Sequence, residues 1–490
     1  MTIGKQIAVL LCLAVAGCSG SDPEGTGTEE SAPVLEIRIN TGETGKLIPA
    51  EFNGLSVETG CLRKDNAGYT RYGGHFISAD NPETIQIFKT LGIKHLRVGG
   101  GSVDSNKIEP GYEDIDHLFA FARAAGLKVV YSFRLLNGDS AHNAEIAGYI
   151  WDNYSDALDC FSIGNEPDWD SYHKTDPDIK DYPSYMDKWT SFANIIKSAV
   201  PEAVFTGPDT GSNYPVTGAK NTDWNGKSWS VNFAGDLMNS GLVKYISTHN
   251  YVGQDAAGQQ LEPSRMVSKM LSRSWTNKEY PALHHAVAKP VMELGEAYRL
   301  SESNSFSGGL EGGSNCFATA LFALDYLHWW SEHQCSGVDF HNKQWVLNAP
   351  IGMDTETGSL YVNPVGYGIA AFSIGGTGYV QPVTAENRGQ VNITYYAVRN
   401  GNEIYLTLIN KEYGNNGKEV EVDIELDKEA SDIRTMLLAS PEDSPLSLKA
   451  TLGGSEISGS KPLNANWEKA DGLTFRCRPA TALIIKIQIR

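Results

Sequence analysis

The sequence predicts an α/β protein, a closed (β/α)8 barrel of parallel strands with a C-terminal antiparallel β-sandwich. Three observations carry that expectation. Between residues 52 and 342, eight short apolar runs alternate with stretches of helical periodicity. After residue 375, β-rich runs follow one another with no convincing helix between them. Two of those runs are joined through Asn400-Gly401, a composition that suits a tight hairpin.

The chain opens with Lys5, an apolar stretch from Ile7 to Val15, and Val15-Ala16-Gly17-Cys18. A positive start, a short apolar run and small residues at its end have the order of a secretory signal peptide. The run is too short for a transmembrane helix. Its closing cysteine resembles a bacterial lipobox, which makes residues 1–17 a signal peptide and Cys18 the lipidated first residue. The competing reading is an ordinary signal peptide with an unrelated cysteine. Residues 18–33 carry no apolar periodicity and read as a flexible tether holding the protein off a membrane.

Residues 34–39 alternate apolar and polar, so the segment 34–50 is expected to lend a strand to the sandwich. The barrel is assigned to residues 51–375, with strands at 52–58, 95–100, 128–135, 161–167, 204–209, 245–251, 297–302 and 337–342. Asn81-Pro82 opens a helix carrying Ile85, Phe88 and Leu91. Ile115, Leu118, Phe119 and Ala122 form the next stripe, which Gly126 ends, and a long apolar helix precedes the last strand. Runs at 391–398, 403–409, 420–426, 431–438 and 481–489 fill the sandwich, residues 376–490.

Seven cysteines are present. With Cys12 removed and Cys18 lipidated, Cys61, Cys160, Cys316, Cys335 and Cys477 are left. They form neither a disulfide framework nor a Cys-x-x-Cys metal motif, and read mostly as small buried residues. A formal charge of −19 argues against nucleic acid as a partner and ranks densely sulfated polymers lower as substrates. No cofactor is implied.

An active site in such a barrel lies at the C-terminal ends of its strands. There the fourth run gives Gly164-Asn165-Glu166-Pro167, an order that resembles the acid/base motif of retaining (β/α)8 glycosidases. In those enzymes the asparagine contacts the sugar 2-hydroxyl beside the acid. Retention needs a second carboxylate about 5–5.5 Å away, and the seventh strand lies across the barrel mouth. Glu293, Glu296 and Glu302 compete for that place. Glu302 stands before a loop-like run and is preferred; Glu296 requires the strand to stop earlier, and Glu293 reads as solvated.

With Gly54-Leu55-Ser56-Val57-Glu58, Leu96-Arg97-Val98-Gly99-Gly100, Gly207-Pro208-Asp209-Thr210-Gly211 and Phe317-Ala318-Thr319-Ala320-Leu321, these motifs resemble glycoside hydrolase family 79. That family contains β-glucuronidases and heparanases. The likeness extends from about residue 50 to residue 345. It implies a barrel with a sandwich and a retaining mechanism, with Glu166 as acid/base and Glu302 as nucleophile.

Tyr251, ending the sixth run, could donate to Glu302 and keep it ionised; the alternative is a packed rim tyrosine. Gly308-Gly309 could offer two backbone N–H groups to a uronate carboxylate, as glycines there do in the resembled family, or form a plain turn. His249 and His341 lie at strand ends, where each could contact sugar or orient a neighbour, and their separation gives no metal motif. Glu58 could bind a sugar hydroxyl or serve as a structural carboxylate. The expected activity is removal of glucuronic acid from glycans or glycoconjugates. The rivals are endo-acting heparanase-like cleavage, action on a neutral glycoside, and a lipoprotein that only binds glycan.

Overall fold

The computed structural model describes residues 34–64, 75–105, 109–211, 227–343, 346–354 and 356–490. The expected signal peptide, Cys18 and the tether lie outside the described residues. Among the described residues, no helix is long and apolar enough to cross a membrane.

After β1 (Val34–Ile39) the chain enters a closed barrel of eight strands. These are β2 (Asn53–Glu58), β3 (His95–Gly99), β4 (Lys128–Phe133), β5 (Leu158–Ile163), β6 (Phe205–Thr210), β7 (Val243–Tyr251), β8 (Tyr298–Asn304) and β9 (Gly337–His341). They pair in chain order, all parallel, and β9 returns to β2. Each of the eight apolar runs overlaps one of these strands. The boundaries differ by one to four residues, and two of these shifts bear on the site. β5 begins at Leu158 and ends at Ile163, because Gly164 (φ 86°) and Glu166 (φ 51°) take left-handed backbone that no strand can continue. β8 runs on to Asn304, so Glu302 sits within the strand.

Helices coat the outside. Pro82–Thr90 starts on its proline and buries Ile87 and Phe88, while Tyr112–Ala125 buries Ile115, Leu118, Phe119 and Ala122. Outward residues of β3, Leu96 and Val98, meet that apolar layer. The inward residues are charged. Arg299 grips Asp339 with two hydrogen bonds, Nε–Oδ2 at 2.9 Å and Nη2–Oδ1 at 2.7 Å, and His95 Nδ1 lies 2.8 Å from the same carboxylate. All three are buried, and breaking such a pair by deleting one partner costs about 3–5 kcal/mol. Gly54 makes room for it: a Cβ there would lie 1.9 Å from Asp339 Oδ1.

The hairpin of β10 (Ile351–Met353) and β11 (Leu360–Val362) follows the barrel, and the helix Pro364–Gly375 leads out of it. The remaining strands are β12 (Tyr379–Val380), β13 (Val383–Asn387), β14 (Ile393–Asn400), β15 (Glu403–Asn410), β16 (Val420–Leu426), β17 (Ala430–Ala439), β18 (Thr451–Leu452), β19 (Glu468–Lys469), β20 (Thr474–Cys477) and β21 (Thr481–Ile489). One sheet runs β13-β1-β16-β20 and the other β12-β14-β15-β21-β17-β18, with β19 paired to β17. Leu35 and Ile37 of β1, Val420 and Val422 of β16, Leu406 of β15 and Ile485 of β21 share the sandwich core. The helix Ala318–Glu332 is buried along nearly its whole length. Its Asp325 accepts hydrogen bonds from Thr394, Tyr396 and Lys411, which ties barrel to sandwich. The five described cysteines are buried free thiols.

Candidate active site

Above the Asp339 layer, at the C-terminal end of the barrel, a second polar layer is organised by Arg97 of β3. Its guanidinium is buried. Nη1 donates to Glu302 Oε2 at 2.8 Å and to Ser56 Oγ at 3.1 Å, while Nη2 donates to Asn165 Oδ1 at 2.8 Å and to Asp209 Oδ2 at 3.3 Å. Asp209 is held in turn by Ser162 (2.7 Å) and Ser301 (2.5 Å). One planar fork therefore orients groups from β2, β6, β8 and the turn after β5, a task suited to arginine's fixed donors.

That turn is fixed from below by Asp104. Its Oδ1 accepts from Leu135 N and Leu136 N at 2.9 Å each. Its Oδ2 accepts from Asn165 N at 2.9 Å and Tyr172 OH at 2.8 Å. Asn165 is thus anchored by its backbone and by its Oδ1. Glu166 follows in left-handed backbone, its own N–H bonded to Asp209 O at 3.0 Å. Such a conformation costs a non-glycine residue about 1–2 kcal/mol and re-aims the side chain.

Glu166 and Glu302 face each other. One carboxylate oxygen of each, with a ring nitrogen of His249, lie within 4.8 Å of one another. Their surroundings push them opposite ways. Burial raises the proton affinity of Glu166, and the charges of Glu302 and Asp168 add to it against the opposing His249, whose Nδ1 lies 2.9 Å from Glu166 Oε1. Burial alone would raise Glu302 too. The charges of His341, His249 and Arg97 and a 2.8 Å hydrogen bond from Tyr251 OH outweigh it and hold Glu302 well below the usual carboxylate range. His249 is raised: burial opposes its charge, but the Glu302 charge and the Glu166 hydrogen bond prevail. The result is one carboxyl that tends to hold a proton beside one that does not, the division of labour an acid and a nucleophile require.

Of the other residues marked in the sequence, His341 lies 3.5 Å from Glu302 Oε2 and 3.8 Å from Glu58 Oε1. Glu58 accepts from Ser102 N (2.8 Å) and Lys343 Nζ (3.2 Å), so it braces the rim. Gly308 and Gly309 are exposed beyond β8, and neither amide has an acceptor among the described residues. Glu296 precedes β8 at the opposite, N-terminal end, and Glu293 ends the helix before it. As a metal cradle the carboxylate pair is poor, since Arg97 and Tyr251 already occupy Glu302, and His249 turns Nδ1 toward Glu166.

Sequence reasoning did not single out Arg97, Asp209, Asp104 or Trp169 as site residues. Trp169 is 49 % exposed. The Cβ that Gly211 lacks would fall 2.1 Å from Trp169 Nε1 and 2.5 Å from Glu166 Cδ, so indole and carboxyl converge on one small gap that only glycine leaves open. The available signals were a charged residue inside an apolar strand for Arg97, and a tryptophan three residues after the motif glutamate for Trp169.

Fold and site together define a (β/α)8 barrel with an attached β-sandwich and a carboxylate pair at the barrel mouth. Solved glycosidases share this fold. Over 92 % of this chain and 99 % of theirs, a 4-O-α-L-rhamnosyl-β-D-glucuronidase from Fusarium oxysporum 12S matches with TM-score 0.65 at 15 % identity. A GH51 arabinofuranosidase from Xanthomonas axonopodis pv. citri matches over 93 % and 100 % with TM-score 0.66 at 12 % identity. A family 30 subfamily 8 xylanase from Clostridium acetobutylicum matches over 92 % and 99 % with TM-score 0.55 at 15 % identity. No protein-family model matches the sequence, and no curated protein does.

Proposed function

We propose that this chain is a retaining glycoside hydrolase, an exo-acting β-glucuronidase that releases glucuronic acid from glycans or glycoconjugates. The observation that carries the hydrolase reading is the close approach of Glu166 and Glu302, with oxygens within 4.8 Å. Inverting enzymes hold their carboxyl groups about 6.5–9.5 Å apart to admit a water, whereas retaining pairs stand about 5–5.5 Å apart.

In the first step Glu302, ionised beside Arg97 and Tyr251, attacks the anomeric carbon. Glu166 gives its proton to the departing glycosidic oxygen. In the second step Glu166 takes a proton from water, which attacks the same carbon and frees Glu302. Asn165, locked by Arg97 and Asp104, presents its amide N–H to the sugar 2-hydroxyl.

Three things support the uronate. The motifs resemble family 79, the Fusarium neighbour is named for a β-D-glucuronide bond, and the Gly308 and Gly309 amides are free to receive a carboxylate. A neutral substrate is the second reading, favoured by the likeness to the arabinofuranosidase. Hydrolysis of p-nitrophenyl β-glucuronide beside the β-glucoside, β-galactoside, β-xyloside and α-L-arabinofuranoside decides between them. Preference for the glucuronide is expected; preference for any neutral glycoside overturns the uronate. No turnover of any would point to an endo-enzyme or a binding protein. Residues 1–33 are proposed to export the enzyme and anchor it to a bacterial membrane through lipid on Cys18.

A further inference from the structure

We propose that Trp169 is the platform of the leaving-group subsite and selects substrates whose departing part carries a flat ring, an aryl aglycone or the C–H face of a second pyranose. The proposal rests on Glu166 and Glu302 working as a retaining pair, and it holds whichever sugar they act on.

The turn after β5 supplies both the acid and the indole. Of residues 166–169, Pro167 and Asp168 are buried, Glu166 is half-buried and Trp169 is exposed. Acid and indole are thus the two side chains that this turn leaves open to a ligand. It also holds them as one body. Trp169 N–H donates to Glu166 O at 3.2 Å, and Tyr172 N–H donates to Trp169 O at 2.9 Å. Asp168 Oδ1 accepts from Gly211 N at 2.9 Å, which ties the turn to the end of β6. A group fixed in this way to a rigid element keeps its distance from the acid, as substrate positioning requires.

The more open side of the pair is the acid's. The Glu166 side chain is 25 % exposed and that of Glu302 is 9 % exposed. The reaction demands that order: the nucleophile reaches the anomeric carbon from one face, and the acid protonates the oxygen that departs from the other. Whatever is joined to that oxygen therefore lies beside Glu166 and away from Glu302. Trp169 lies on that side. A Cβ on Gly211 would fall 2.1 Å from Trp169 Nε1 and 2.5 Å from Glu166 Oε1, so the nitrogen edge of the indole is set against the acid.

The chemistry of the side chain sets what it recognises. An indole carries no charge, and its negative π face attracts the positive edges and C–H bonds of a ring laid on it. Asp168, the neighbouring charge, is buried and bonded to Gly211 N. The platform therefore sorts leaving groups by shape. Fluoride or methanol covers almost none of the indole, whereas a phenyl or pyranose ring covers much of one face. Apolar burial and ring contact together make that difference about tenfold in binding.

The test is how the full-length enzyme partitions its glycosyl–Glu302 intermediate between water and an added alcohol. The donors are the glycosyl fluorides of the sugars in the p-nitrophenyl series, because fluoride is too small to cover Trp169. Glu302 displaces fluoride from the anomeric carbon. The alcohol oxygen then attacks that carbon, Glu166 takes the alcohol proton, and the ester bond to Glu302 breaks. The acceptors are 2-phenylethanol, methyl β-glucoside and methanol, and the readout is the ratio of transfer to hydrolysis, which does not depend on the amount of folded enzyme. Trp169→Ala should lower that ratio about tenfold for the ring acceptors and leave it unchanged for methanol, and Trp169→Phe should retain most of it. A fall confined to 2-phenylethanol assigns an aryl aglycone, and one confined to methyl β-glucoside assigns a second sugar. Three results overturn the platform: a wild type that transfers to rings no better than to methanol, a Trp169→Ala ratio that is unchanged or falls equally for methanol, or a Trp169→Phe ratio no higher than that of Trp169→Ala. Turnover of none of the fluorides removes the retaining hydrolase itself, and the subsite with it.

Discussion

Tyr251→Phe isolates what keeps Glu302 ionised. The substitution removes one hydroxyl and its 2.8 Å hydrogen bond to Glu302 Oε1, while the ring is conserved. A hydrogen bond to a charged group contributes about 1.5–3 kcal/mol. At about 1.36 kcal/mol per pKa unit, its loss raises Glu302 by about 1–2 units. Arg97 and the charges of His341 and His249 remain, so Glu302 still ionises below neutrality. The sign follows from the proposed mechanism: there the ionised carboxylate attacks, so activity falls as pH drops through its pKa. In the wild type that acid limb lies below the ordinary carboxylate range, and in the variant it moves upward by about 1–2 units. The assay is kcat/KM against pH with an aryl β-glucuronide whose leaving group is good enough not to need the Glu166 proton. An unmoved acid limb with a uniform loss of rate at every pH would refute the reasoning and reduce Tyr251 to a packing residue.

Four further outcomes are expected. Glu302→Gln abolishes turnover and leaves the melting temperature close to the wild type, whereas Glu296→Gln, at the far end of β8, leaves turnover intact; the reverse pattern moves the nucleophile. Glu166→Gln slows poor-leaving-group substrates by about 10²–10⁴-fold and activated aryl glycosides far less, and equal losses in the two series count against its acid role. Trp169→Ala raises KM for substrates whose leaving group presents a flat apolar face more than for a glycosyl fluoride, checked by steady-state kinetics on both. Cys18→Ala releases the protein into the soluble fraction on cell fractionation; retention in the membrane removes the lipid anchor from the account.

The barrel is legible in the sequence because parallel strands covered by helices are buried on both faces. Their sequences are therefore runs rather than alternations. Val129-Val130-Tyr131 shows this directly. Strand ends are harder to read. Nothing in the composition of Gly164-Asn165-Glu166-Pro167 states that Glu166 adopts positive φ; that conformation is imposed by Asp104 and by Asp209 O, which come from other βα units. Glu166 and Glu302 were legible because each lies near the C-terminal end of a strand beside turn-forming residues. Arg97 offered one local signal, a charge between Leu96 and Val98, but its role was not legible because its partners lie 41, 68, 112 and 205 residues away.

Those distances also explain why the barrel interior is charged. An apolar filling would pack the strands equally well but would fix no side chain at the mouth to within a hydrogen bond. Here the Asp339–Arg299–His95 layer closes the lower interior, and Arg97 stands above it with acceptors on four sides. Each buried charge has its counter-charge in place, so the desolvation cost falls on folding rather than on the reaction. One guanidinium then serves two ends at once, lowering Glu302 through Nη1 and orienting Asn165 through Nη2. A lysine has a single ammonium at this position and cannot span both. The ionisation of Glu302 and the orientation of the Asn165 amide are therefore set by the same residue, so a change at Arg97 disturbs charge and geometry together.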